Sequence, residues 1–164
     1  MLELDSQLWL SRSWTTREPR GAESGEEYFF VSREAFEDAI ARDFFYEWAD
    51  FHGQLYGTPR PHPPAGHDVL LEIEVKGARQ VRERDPLAVI ILLTAPTMEL
   101  LERRLRGRGD HEEHISLRLE STRHELDKGR ELADFEVVND DVEQASREIL
   151  SILEGLRQSR RIPS

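Results

Sequence analysis

Two near-continuous aliphatic runs constrain this chain more than any other feature: Val69–Val75, reading VLLEIEV, and Ala88–Leu93, reading AVIILL. Runs of this kind suit strands covered on both faces, as in a parallel sheet. Each is followed by a helical pattern, over Ala78–Arg84 and Met98–Arg106. Val137-Val138 reads as a third short strand. After it, Ala145, Ile149, Ile152, Leu153 and Leu156 share one face of a helix over Val142–Leu156, with Asp141 as its cap. Strand and helix in alternation predict an α/β fold on a parallel sheet with helices on both faces. A length of 164 residues fits one compact domain with appended subdomains.

Upstream of the first run the pattern changes. Ala22–Glu27 reads as a loop and Tyr28–Val31 as a short strand. Ser32 offers an N-cap to a helix over Arg33–Arg42, with Phe36 and Ile40 on one face. Phe44–Ala49 is aromatic and strand-like, and the glycines and prolines of Gly57–His67 mark a loop. Between the second and third strands, a long polar helix over about residues 112–131 has only a narrow apolar stripe: Ile115, Leu119, Thr122 and Leu126. A helix with so little to bury is peripheral and free to move.

Charge narrows the function classes. Charged residues make up 34% and the formal net charge is -11. Bulk nucleic-acid binding is disfavoured, because its sequence-independent part comes from Lys and Arg neutralising phosphates. Small anions are still open to the chain wherever arginines gather, and all but two of its 22 basic residues are arginine, the exceptions being Lys76 and Lys128. With no cysteine there is no disulfide framework and no thiolate chemistry. No apolar run approaches the roughly 18 residues of a membrane span. Met1–Asp5 lacks the basic and apolar regions of a signal peptide. A soluble cytoplasmic protein without membrane or nucleic-acid partners is expected.

Four groups of residues could carry chemistry. Arg17 and Arg20 lie three apart across Pro19; two guanidinium forks held so can clamp one phosphate, and they also read as a solvated surface. Glu47 sits beside Trp48, near Tyr56-Gly57-Thr58. A carboxylate among aromatics needs a partner, and it can accept both donors of guanine's Watson–Crick edge. Adenine would leave it unpaired and be rejected; an edge-strand surface residue is the alternative. Glu72 and Glu74 alternate near the end of a strand, on one face, where open α/β sheets bind ligands. Metal contact or a structural salt bridge would each explain them. Arg103, Arg104, Arg106 and Arg108 crowd a helix C-terminus, where the dipole favours cations and where phosphates under transfer could be neutralised. His111 and His114 have i, i+3 spacing but no third ligand nearby in sequence, and read as surface residues.

The order of these groups says more than any one of them. The blocks SRSWTTREPR, YFFVSREAF, FYEWADFHGQLYGTPR, DVLLEIEVKGARQVR, LERRLRGRG and VVNDD, from about Leu8 to Leu153, resemble the guanylate kinase family. The resemblance implies a P-loop NTPase-like, nucleoside monophosphate kinase fold over 1–164. Its core would be 68–100 and 134–157, its small mixed-β GMP-binding lobe 11–60, and its helical lid 101–133. It implies transfer of the ATP γ-phosphoryl group to GMP, giving GDP and ADP, with Mg²⁺ accompanying ATP. By position, Ser13, Glu47, Thr58 and Glu74 match guanine contacts. Arg17, Arg20, Tyr28 and Tyr56 match the GMP phosphate clamp. Glu72 matches a carboxylate near the metal and the transferred group. Arg104, Arg108 and Arg118 match lid arginines over the ATP phosphates, and Asn139 lies toward the adenine.

One family element is missing from the sequence. No G-x-x-x-x-G-K-[ST] loop occurs, and neither lysine follows a glycine: Lys76 follows Val75 and Lys128 follows Asp127. In the family that loop's backbone amides and lysine hold the ATP phosphates. A chain truncated at its N-terminus, with impaired transfer, is therefore expected, and an in-frame glycine-rich loop upstream in the DNA would support it. Smaller departures are Glu74 where aspartate is usual, Lys76 where glutamine is usual, and Leu55 in place of a tyrosine. A non-catalytic GMP-binding or protein-interaction module is the alternative. The retained clamp and lid arginines favour the enzyme, since a scaffold needs neither.

Overall fold

The computed structural model describes residues 3–19, 28–51, 53–107 and 112–161. The chain divides into two compact units, Leu2–Ala88 and Val89–Ser164.

The first unit holds two sheets and two helices. Strand β1 (Leu8–Leu10) pairs in parallel with β6 (Asp68–Leu70), Leu8 opposite Asp68. A second, four-stranded sheet has the order β3-β2-β5-β4, from Tyr28–Phe30, Ser13–Thr15, Gln54–Pro59 and Phe45–Phe51 respectively. Its β2–β3 pair is parallel and the others are antiparallel.

Helix α1 (Arg33–Ala41) covers one face of that sheet. Ser32 starts it by accepting the Ala35 amide at 3.2 Å, the capping its sequence predicts. Asp43 ends it: its φ of 52° lies in the left-handed region, and its amide reaches back to the Ile40 carbonyl at 2.9 Å. Phe36, on the inner face, stacks on Phe45 with centroids 4.4 Å apart. Ala39 and Leu55 complete this buried cluster, with Trp14, Val31 and Ile40 packed around it. Gly57 is required by this packing, because a Cβ there would stand 2.9 Å from both Phe36 Cζ and Phe45 Cδ1. Helix α2 (Val75–Arg84) packs on β4.

The second unit joins β7 (Ile91–Thr94) to β8 (Phe135–Val138) in parallel, Ile91 opposite Phe135. Helices α3 (Met98–Gly107) and α4 (Glu112–Leu132) pack on each other, α4 also on β7, and α5 (Val142–Arg161) on β8. Asp141 caps α5, accepting the Gln144 amide at 2.8 Å. The narrow stripe of α4 is real: Ile115 is fully buried, while Leu119, Thr122 and Leu126 are half-buried. No helix among the described residues is long and apolar enough to cross a membrane.

Several boundaries differ from the sequence expectation. The run Val69–Val75 contributes only Asp68–Leu70 to a ladder, because β1 offers just three residues to pair with. Glu72 and Glu74 therefore lie in the connection to α2, which begins at Val75 rather than Ala78. The second run starts its ladder at Ile91, since the Ile90 amide is taken by the Asp134 carboxylate at 2.8 Å. Gly57–Pro59, expected in a loop, end strand β5.

Candidate functional site

The register of the four-stranded sheet gathers the predicted GMP-side residues. Directly paired residues share a face, and successive residues on a strand alternate. Ser13 pairs with Tyr28, Thr15 with Phe30 and with Tyr56, Ala49 with Tyr56, and Glu47 with Thr58. Ser13, Tyr28, Glu47, Tyr56 and Thr58 therefore stand on one face, and the other face carries Trp14, Leu55 and Gly57 against α1. Phe45 and Glu47 are two apart and would share a face in a regular strand. A bulge between them prevents this, setting Phe45 opposite Pro59 and Glu47 opposite Thr58. The extra residue sends Phe45 into the core and Glu47 into the site.

At one end of this face is a buried polar chain. Glu47 is 4% exposed, and its Oε1 accepts the Thr58 amide at 3.0 Å. The Thr58 hydroxyl lies close enough to favour the charged form of this carboxylate as well. Ser13 Oγ lies 3.1 Å from Thr58 Oγ1, a hydrogen bond in which either hydroxyl can donate. Burial pushes the Glu47 carboxyl above its usual range, opposed by the Thr58 hydroxyl and amide. Among the described residues no cation pairs with it.

At the other end are aromatic rings and a guanidinium. The Tyr28 and Tyr56 rings meet edge to face with centroids 6.1 Å apart. Arg17 Cζ lies 5.6 Å from the Tyr28 ring and 5.6 Å from the Phe30 ring. Its amide is held by the Thr15 hydroxyl at 3.1 Å. Burial raises the Tyr28 phenol above its usual range, reinforced by Glu72, Tyr56 and Glu74 and opposed by Arg17. Glu72 and Glu74 are thus within electrostatic reach of the same phenol, although neither lies in a strand. Arg12 steadies this end by donating to the Tyr28 carbonyl at 3.2 Å while covering Phe29 at 3.6 Å.

In the second unit, Arg104 and Asn139 are brought together. The Arg104 guanidinium forks onto the Asn139 carbonyl at 2.8 Å and the Asp140 carbonyl at 3.0 Å. The Asn139 amide is fixed by the Thr94 carbonyl at 2.8 Å, whereas its side-chain Oδ1 is buried without a partner. Arg20 and Arg108 lie outside the described residues, as does the side chain of Arg118 on α4. Among the described residues no three His, Asp or Glu side chains gather where they could hold a metal ion.

Two residues that meet the site are not singled out by sequence reasoning. Gly77 on α2 stands so close to Glu47 that a Cβ there would overlap Oε2 and lie 2.9 Å from Cδ. Gln80, one turn later, accepts the Trp48 amide at 3.3 Å and donates to the Trp48 carbonyl at 2.6 Å. Sequence alone does not mark them: Gly77 falls just before the helical pattern read from Ala78, and only the structure starts α2 at Val75.

Known proteins resemble this chain along most of its length. A family model described as guanylate kinase matches residues 3–156. The guanylate kinase of Synechococcus sp. (strain CC9902) is 46% identical over 155 residues, covering 91% of this chain and 82% of that relative. Those of Parasynechococcus marenigrum (strain WH8102) and Neisseria gonorrhoeae (strain ATCC 700825 / FA 1090) are 48% and 46% identical, covering 95% and 93% of this chain and 86% and 77% of the relatives. The crystal structure of guanylate kinase from Anaplasma phagocytophilum superposes with a TM-score of 0.76 at 29% identity, covering 92% of this chain and 76% of that one. The fold is thus of the P-loop NTPase class, in the form nucleoside monophosphate kinases take. Within that class, the chain belongs to the guanylate kinase family.

Proposed function

We propose that this chain binds GMP on the sheet face carrying Glu47 and Tyr28, for phosphoryl transfer from ATP. The observation that carries the reading is Glu47: a buried carboxylate whose donor among the described residues is Thr58, with no cation paired to it among those residues. Such a group is costly to bury unless a ligand brings donors to it. Guanine brings two, N1–H and the 2-amino group, and one carboxylate accepts both. Ser13 and Thr58 fix the carboxylate and line the base. Arg17, Arg20, Tyr28 and Tyr56 take the phosphate, with the rings orienting the Arg17 guanidinium. Glu74, whose position matches a guanine contact in the family, is felt at the Tyr28 phenol and would have to reach from there toward the base.

On the ATP side, Arg104, Arg108 and Arg118 would neutralise the phosphates, and the unpartnered Asn139 Oδ1 offers an acceptor to an adenine amino group. Glu72, whose charge is felt at the Tyr28 phenol, would offer its carboxylate to Mg²⁺, an ion usually held by one or two carboxylates alongside substrate phosphates. That ion would supply charge neutralisation. The use of ATP implies a cytoplasmic setting.

The 164 residues contain no glycine-rich loop with a following lysine. This favours a second reading for the chain as written, GMP binding with transfer impaired. Phosphoryl transfer depends on positioning and charge neutralisation, and the loop supplies much of both. A GMP titration of the unmodified chain and of Glu47→Gln tests the first reading. The amide keeps one acceptor but sets a donor against guanine's donors, so affinity falls by about a hundredfold or more. Unchanged affinity would overturn it. A coupled assay with ATP tests the second: turnover on the usual kinase scale of roughly 1–100 s⁻¹ would show that these residues suffice without the loop.

A further inference from the structure

Helix α2 touches the guanine carboxylate from behind, and the way it does so assigns two residues a role in specificity. We infer that Gly77 and Gln80 are positioning residues that set Glu47 for guanine and against adenine, an inference that rests on the GMP reading above.

Gly77 is not required by its backbone. The positive-φ glycines among the described residues are Gly53 and Gly66, so Gly77 adopts a conformation any residue can. Nor is it required by the helix, since glycine is the weakest helix former after proline. What it provides is space. A Cβ there would overlap Glu47 Oε2 and crowd Cδ at 2.9 Å and Cγ at 3.5 Å. The neighbour is the end of a flexible side chain, so the fold could accommodate alanine by swinging the carboxylate aside. That movement would pull Oε1 from the Thr58 amide and the carboxylate from the plane of the base. The glycine therefore serves the site more than the fold.

Gln80 acts on the same carboxylate through the backbone. Strand β4 lies at the edge of its sheet, and the Trp48 amide and carbonyl both turn to Gln80 Oε1 and Nε2. One side-chain amide thus pairs both groups as a neighbouring strand would, which closes the edge. Trp48 follows Glu47 in the chain, and Gly77 and Gln80, three apart, lie on the same face of α2. The helix holds residue 47 by its backbone at one point and shapes the space for its side chain at another.

The experiment compares GMP and AMP affinities by calorimetry for the full chain, Gly77→Ala, Gln80→Met and Gln80→Glu, with urea unfolding of each. Gly77→Ala is expected to lose about tenfold or more in GMP affinity with little change in unfolding midpoint and little effect on AMP, so that the GMP preference narrows. Gln80→Met keeps the length of the side chain but neither hydrogen bond, and narrows the preference in the same direction. Gln80→Glu keeps an acceptor for the Trp48 amide yet opposes the Trp48 carbonyl, and does not restore it. Combining Gly77→Ala with Glu47→Asp, which shortens the carboxylate by one methylene, gives a loss smaller than the product of the two single losses. If the unmodified chain shows no preference for GMP over AMP, the GMP reading itself fails. If it shows one and both Gly77→Ala and Gln80→Met keep it, the positioning role is overturned. Should Gly77→Ala not fold, a Gln80→Met variant of unaltered preference is enough to overturn it.

Discussion

Glu47 carries a conflict that sets two measurable behaviours. Its folded pKa is raised by burial, so its contribution to stability is fully present below the ordinary value of 4.5 and is lost as pH rises through the folded value. Removing the charge should relieve that loss. Glu47→Gln, without nucleotide, is expected to resist urea at neutral pH at least as well as the unmodified chain, with the gap closing as pH falls below the ordinary carboxylate range. A variant clearly less stable at neutral pH would mean the carboxylate serves the fold. The second behaviour is a proton linkage. Guanine's donors favour the ionised carboxylate and lower its pKa, so GMP binding releases a proton at acidic pH. Affinity should fall as pH drops through the raised Glu47 value, and calorimetry in buffers of different ionisation heat measures the proton count. Release of no proton anywhere below neutrality would contradict this assignment.

At the scale of elements, what was legible depended on whether the signal was local. The Ser32 cap and the apolar faces of α1 and α5 are written in consecutive residues, and the structure bears them out. Strand lengths were not, because a ladder is only as long as its partner: Leu71–Glu74 has strand-like sequence, but the ladder with β1 ends at Leu70. Strands β1 and β2, three residues each, are too short to show a period. The bulge that parts Phe45 from Glu47 is invisible in sequence, since it depends on register with β5. Gly57 looked like turn punctuation, and its actual role is to let Phe36 and Phe45 close over β5. Gly57→Ala is accordingly expected to cost about 1–3 kcal/mol by overpacking, and Ser32→Ala about 1 kcal/mol by loss of the cap. Urea unfolding of the two variants checks both, and a neutral Gly57→Ala would show that the aromatic pair can yield.

For the molecule as a whole, family and fold were legible because six blocks recur in order, a signal that no single residue holds. The candidate site is expected from sequence as a list of residues, and sequence does not give their arrangement. That Ser13, Tyr28, Glu47, Tyr56 and Thr58 share a face follows from pairings between strands up to 45 residues apart in the chain. Gly77 and Gln80 stayed hidden because their role lies in space and in backbone contacts rather than in chemical type. The net charge of -11 makes the local arginine more important, since an anionic nucleotide approaching an acidic chain is attracted only where cations gather. GMP affinity should therefore weaken with ionic strength more steeply than the affinity of guanosine, which lacks the phosphate.

The central claim is that one buried carboxylate reads both donors of guanine. Equilibrium titration of the unmodified chain with GMP, IMP and AMP tests it most directly, because the three differ at the base edge alone. IMP keeps N1–H but lacks the 2-amino group, and AMP presents an acceptor at N1. The account predicts affinities in the order GMP, then IMP, then AMP, each step a loss of about tenfold or more. Equal affinity for GMP and AMP would contradict it.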